Sequence, residues 1–181
     1  MQGTSKTTRA RAMSRGASTA SAKGKRPSAV ERVPDRSKGY GSSLTLAARF
    51  LGALALLAVG AVHLQQYEFL YSAIPTIGTL FLLNFSGATL IGLGLLTPLE
   101  RLLGRLGGVA VALLAFSGAV QAATAFVFLV VSERTPLFGF MEPGYDPPAI
   151  MASRVAELVT VGLLGSFLVA RLALRSSAGR W

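Results

Sequence analysis

Five polar residues stand inside stretches of sequence that are otherwise apolar: His63, Asn84, Gln121, Arg154 and Glu157. Each brings its own chemistry. An imidazole titrates near neutral pH and ligates haem or a metal. The two amides donate and accept at once, which suits hydrogen bonds between helices or to a polar solute. Arg154 and Glu157 are three residues apart, so on a helix they share a face and pair. A lone charge near the centre of a bilayer costs about 3 kcal/mol on insertion scales. Pairing the two, and turning them into a bundle, lowers that cost. Such a pair serves either as a clamp between helices or as part of a site for an ion or solute.

Other chemistry is excluded more firmly. The chain has no cysteine, so disulfides, Cys-based metal sites and dithiol redox chemistry are absent. A metal site wants three or four ligands of matching type. The single histidine has only Glu157, and Glu68 at the end of its own run, to draw on. No metal and no cofactor is expected. Haem ligation would rest on His63 alone, and a hydrogen bond from His63 to Gln66 or Tyr67 is the simpler expectation. There is no phosphate-binding glycine loop, no HExxH, no nucleophile elbow, and therefore no catalytic residue to assign.

The elements that must position these residues are legible as apolar runs. Of 181 residues, 51% are apolar and 14% charged, against about a quarter charged in a soluble domain. Four runs cover residues 44–66, 74–96, 107–132 and 149–172. The shortest, at 23 residues, is roughly 35 Å long as a helix, enough to cross a ~30 Å hydrocarbon core. None carries the polar stripe of a soluble amphipathic helix. Inside a bilayer every backbone group needs an internal partner, so helices are predicted. The fold class is an all-α membrane protein, a four-transmembrane-helix bundle over residues 43–173. Thr97-Pro98 ends the second helix and Ser132 to Pro136 the third. The segment Met141 to Pro148 is expected as a turn or extended stretch, with the pair Pro147-Pro148 ahead of the last helix.

Counting 1.5 Å per residue from one common end places His63 roughly 5 Å deep, Arg154 roughly 8 Å and Glu157 roughly 12 Å. Asn84 and Gln121 fall at roughly 15 Å. All five thus form one polar layer in the same half of the membrane, with each helix contributing. Above them, Leu137 to Asp146 is unusually aromatic for a loop. It is read as an aromatic belt at the interface, the alternative being a lid folded over the polar layer.

Ten of the 18 Lys and Arg precede Ser43. Residues 1–42 are Ser-, Ala- and Gly-rich and are expected to be a disordered basic tail; residues 174–181 form a second, short basic tail. Arg101 and Arg105 lie between the second and third runs. The positive-inside rule then puts both termini in the cytoplasm, and an even number of spans agrees. The tail suits anionic lipids, at about 1 kcal/mol per basic residue near the surface. Without interleaved aromatics it gives no reason to expect nucleic acid. An organelle transit peptide is the other reading of its composition. Small residues recur four apart: Ala88 and Gly92; Ala115, Ala119 and Ala123; Gly162, Ser166 and Ala170. They are expected to pack helix on helix within the bundle, or between copies or a membrane protein partner.

Two strings carry a resemblance. His63-Leu64 with Tyr67, followed by Ile74-Pro75-Thr76-Ile77-Gly78-Thr79-Leu80-Phe81-Leu82-Leu83-Asn84, is similar to a group of small actinobacterial integral membrane proteins. So is Leu137-Phe138-Gly139-Phe140 with Glu142, Gly144, Tyr145 and Glu157. The resemblance covers most of residues 44–172. It implies a four-helix protein of the bacterial plasma membrane and carries over no catalytic residue. Three functions follow in order: an accessory or structural membrane protein acting by packing and lipid contacts; a small transporter or channel component using the polar layer; and a haem- or quinone-linked redox protein using His63.

Overall fold

The computed structural model describes residues 36–178. The expected disordered tail lies outside the described residues as far as residue 35, as do residues 179–181. Residues 36–42, assigned to that tail by composition, are instead the first turns of helix α1 (Arg36–Gln66). The cause is propagation. Once an apolar helix is nucleated, each further residue adds one backbone hydrogen bond for one residue fixed. The hydroxyl of Thr45 adds a bond to the Gly41 carbonyl at 2.8 Å.

Helix α1 runs on through a single π-helical turn, Tyr67–Tyr71. Helix α2 (Pro75–Leu96) starts with proline, whose missing N–H costs nothing there. A one-turn helix α3 (Leu99–Leu102) and a 3₁₀ turn lead to helix α4 (Gly107–Ser132). Helix α5 (Pro147–Ala178) is the last. Pro147 and Pro148 open α5 rather than forming a turn before it. Asp146 makes this possible. Its Oδ1 accepts from the Ala149 N–H at 3.1 Å, and its carbonyl takes the first helical bond, from Ile150. Of the four N–H groups that a helix start leaves unpaired, the two prolines lack two and the Asp146 side chain takes that of Ala149.

Four helices are long and apolar enough to cross a membrane: Ser43–Tyr71, Pro75–Leu96, Gly104–Ser132 and Pro147–Ser176. The described residues form the all-α, four-span bundle expected. α1 packs between α2 and α5, and α4 closes the ring against the same two helices. The end where α1 begins and α5 finishes is called proximal here, and the opposite end distal.

The proximal half is closely packed around Ala53, Leu95, Val111, Ala115, Leu164 and Phe167. Small residues permit the approach. A Cβ at Gly118 would sit 2.9 Å from Leu56 and 3.0 Å from Leu164; one at Gly92 would sit 2.8 Å from Leu57. Of the expected small positions, Ala88 and Gly92 on α2 and Ala115 on α4 are buried in the bundle, and Ala119 packs against its core, with Ala123 half-buried. Those on α5 are not buried: Gly162 and Ser166 are exposed, and Gly162 has open space where a Cβ would go. α5 turns Ser153, Glu157, Thr160, Leu164 and Phe167 inward instead, so its small stripe lies on the outer face.

Arg49 fastens the proximal end. Its guanidinium donates to the carbonyls of Leu95 and Thr97, each at 2.7 Å, and to both carboxylate oxygens of Glu100. These are the last carbonyls of α2, which have no partner within the helix.

Candidate functional site

The polar layer begins at the Asn84 backbone carbonyl. Gln121 on α4 donates from Nε2 to that carbonyl and to Asn84 Oδ1, both at 2.7 Å. The carbonyl can only accept, so the nitrogen of Gln121 is identified, and with it the oxygen of Asn84. Asn84 Nδ2 then faces His63 Nε2 at 2.9 Å and donates to it. At the other ring nitrogen, Nδ1 lies 2.8 Å from the Val59 carbonyl and must carry the proton. Two backbone carbonyls thus fix a directional chain across α4, α2 and α1. It holds His63 as the neutral Nδ1–H tautomer with its Nε2 lone pair already engaged. Gln66 and Tyr67, the partners expected for His63, take no part. Haem iron would need the Nε2 lone pair, and with it the breaking of the Asn84 bond.

Glu157 on α5 completes the layer. Its Oε1 accepts from Ser153 Oγ at 2.9 Å and lies 3.9 Å from His63 Nε2. Its Oε2 is buried with no hydrogen-bond partner in the protein, in a residue only 1% exposed. The expected Arg154–Glu157 pair does not form. Arg154 reaches over the end of α4 to Glu133, both of whose carboxylate oxygens accept from one guanidinium nitrogen. Three-residue spacing made Glu157 reachable. Glu133 wins because it lies toward the interface, where the long Arg side chain keeps its head nearer water.

Of the five residues read from the sequence, His63, Asn84, Gln121 and Glu157 therefore come together and Arg154 stands apart. The four line one cavity of about 380 Å³ in the distal half. No protein-family model, no curated protein and no solved structure matches this chain. What the cavity holds must be argued from its walls.

The roof is the segment between α4 and α5. Leu137 and Phe140 exchange both backbone hydrogen bonds, at 2.7 and 3.0 Å, around Phe138 and Gly139. Both central residues have positive φ, 50° and 80°, the requirement of a tight two-residue hairpin turn. Phe138 bears strain there that Gly139 avoids. The hairpin directs Leu137 and Phe140 into the cavity, while Phe138 and Tyr145 remain exposed. The aromatic segment is thus a lid over the polar layer rather than only an interfacial belt.

Glu142 pins that lid. It accepts from the Tyr71 hydroxyl and from the Gly144 and Tyr145 N–H groups, and its own N–H donates to the Ser132 carbonyl. Asp146 adds a second tie, accepting from Gln66 Nε2 at 2.9 Å. The π turn delivers Tyr71 to this position. Its ring stacks on Phe81 at 4.5 Å and meets Phe140 edge-on at 5.6 Å.

The sequence does not single out Tyr71 or Ser153, offers Gln66 only as a partner for His63, and carries Glu142 and Asp146 only within the aromatic segment and the resemblance. The available signal is weak: acids and a tyrosine in the two connections 67–73 and 133–148, which together hold six aromatics and four prolines. Glu68, weighed as a further carboxylate, is exposed and takes no part. Among the described residues, no three His, Asp or Glu side chains gather as a metal-binding group.

Proposed function

We propose that this multi-pass protein binds a small amphipathic molecule in the distal half of its bundle, within the bacterial plasma membrane. The observation that carries this reading is Glu157 Oε2, a buried carboxyl oxygen with no partner on the wall of a roofed cavity. Buried polar atoms are nearly always hydrogen-bonded, and an orphan costs about 1–3 kcal/mol or more when charged. A chain kept only for packing would gain by replacing Glu157 with an apolar residue. The walls are apolar and aromatic with a few convergent polar groups, the composition of small-molecule sites, and the volume lies in the range of about 300–1,000 Å³ usual for them.

The accessory or structural role suggested first by the sequence has its support in the proximal half, where packing is close and Arg49 is fully engaged. It leaves the cavity and its carboxyl without a purpose. The basic residues before Ser43 and between α2 and α4 support a cytoplasmic proximal end and a lid on the outer side.

Native mass spectrometry of the full chain extracted from bacterial membranes tests the binding reading. A bound small molecule is expected, and Ala125→Phe, which fills the cavity, should release it. Protein free of any adduct, with a melting temperature unmoved by lipid-soluble extracts, would overturn the reading. Reporter fusions at residue 40, Gly104 and the C-terminus should read cytoplasmic, and fusions after Tyr71 and near Gly144 external.

A further inference from the structure

We infer that the molecule held in this cavity is an amine, bound as a cation with its nitrogen at Glu157 Oε2 and a compact apolar or aromatic body beneath the lid. The inference rests on the binding reading above and names its ligand class.

Most donors of the wall have a protein partner, although the NH2 groups of Gln66 and Asn84 each keep a second hydrogen. Gln66, Tyr71, Ser132 and Ser153 donate to Asp146, Glu142, the Leu129 carbonyl and Glu157 respectively. His63, Asn84 and Gln121 donate along the chain already described. Thr124 adds a hydroxyl, which accepts as readily as it donates. The buried wall atom left with no partner at all is an acceptor, Glu157 Oε2.

The charge balance points the same way. Glu142 and Glu157 line the cavity, and among the described residues around it there is no Lys or Arg. Arg154, whose charge reaches Glu157, is not part of the wall and is paired with Glu133, its Nε being left without a partner. His63, within 3.9 Å of Glu157, is held neutral by its two hydrogen bonds, so it does not supply the missing positive charge. An anionic head would meet carboxylates and no cation. An ammonium meets an unpartnered carboxylate oxygen with aromatic rings nearby: Tyr71, Phe81, Phe128 and Phe140. Such faces attract cations, the more strongly when the site is desolvated.

The protonation state on arrival does not alter the result. If amine and carboxyl both arrive neutral, the carboxyl proton passes to the nitrogen lone pair where the attraction and hydrogen bond of the resulting ions outweigh the burial of both charges. The product is the same carboxylate–ammonium pair.

Three probes with one body separate the possibilities: 4-phenylbutylamine, 4-phenylbutan-1-ol and 4-phenylbutanoic acid, each titrated into the full chain in nanodiscs with melting temperature as readout. The amine should stabilise the protein saturably and bind about tenfold or more tighter than the alcohol, the margin of a charge-assisted hydrogen bond over a neutral one. The acid should not bind. Glu157→Gln should erase the advantage of the amine and leave the alcohol unchanged. Ala125→Phe should remove all saturable binding, which excludes partition into the bilayer.

Alcohol or acid binding as tightly as the amine would overturn the amine assignment and leave the binding reading standing. No saturable binding of any probe, together with protein free of adducts, would overturn both. The comparison on the unaltered protein decides the matter even if Glu157→Gln fails to fold.

Discussion

The two halves of this bundle share four helices and one apolar composition, yet they are built differently. In the proximal half, glycines let helices touch, Leu164 is fully buried between α1 and α4, and Arg49 satisfies the last carbonyls of α2. In the distal half, aromatic side chains stand around a cavity, and a buried carboxyl oxygen has no partner. Lipid gives helices no hydrophobic reason to associate, so close packing must hold the bundle together. The closely packed half supplies that packing and leaves the other half room for a site. Polar groups are the ties in both halves, but only the distal ones converge on a space.

The largest expected effect breaks the packed half. Leu164→Ala removes a side chain with no exposure, whose neighbours Gly52 and Gly118 have no side chains to fill the gap. It should cost about 3 kcal/mol of unfolding free energy in detergent. Phe128→Leu on the cavity wall should cost under about 1.5 kcal/mol, since the space beside it is already open. Equal losses in chemical denaturation at the two positions would erase the distinction between the halves.

A smaller effect sharpens the description of the lid. Tyr71→Phe keeps the ring stacked on Phe81 and removes one of three donors to Glu142. Opening of the lid should become easier by about 1 kcal/mol. Hydrogen exchange over residues 137–146 should therefore quicken about fivefold, with exchange in α4 below it unchanged. Protection unchanged in the lid would mean that Tyr71 does not hold it.

What was legible in the sequence follows from the bilayer. Runs of 23 or more apolar residues leave little choice but spanning helices, and a lone polar residue in such a run has to find a partner. Depth counting puts His63, Asn84 and Gln121 in the same half of the bilayer but sets His63 roughly 10 Å nearer the surface, whereas the three bond directly. What the sequence hid was set by tertiary geometry. Arg154 had an acid three residues away on its own helix, and its real partner Glu133 looked like part of a connection. Pro147-Pro148 reads as a break until Asp146 is seen to cap it. The lid depends on a π turn and on two residues with positive φ, neither of which leaves a periodic trace. The direction of the His63 chain depends on which backbone carbonyls anchor it.

That correction yields a cycle. Arg154→Met and Glu133→Gln, singly and together, should show a coupling of about 1 kcal/mol, modest because both side chains are partly exposed, at 34% and 27%. Arg154→Met with Glu157→Gln should couple more weakly than this, through charge alone, the two groups having no direct bond. Strong coupling to Glu157 and none to Glu133 would restore the pairing suggested by their spacing.

The smallest effect lies at the proximal end and depends on pH. Burial of Glu100 alone would raise its carboxyl above the ordinary value of 4.5, but a backbone N–H, the Arg49 hydrogen bond and the charges of Arg49 and Arg171 together outweigh burial and lower it. A carboxyl with a depressed folded pKa adds stability that is fully present above its unfolded pKa. That stability is lost as pH falls through the folded value. Between pH 7 and about 5 the Arg49–Glu100 tie should therefore be constant, and it should weaken below about 4.5. The carboxylate side chain is 41% exposed, so solvent screens the interaction and the loss is small. Glu100→Gln should lower the melting temperature slightly at pH 7, and the difference should shrink as pH falls below about 4.5 and the native carboxyl takes up its proton. A difference between the two proteins that grows toward acid would reverse the sign of the linkage. Glu100 would then be held up by burial rather than down by Arg49, and the proximal end would contain the same kind of underserved carboxyl that marks the distal one.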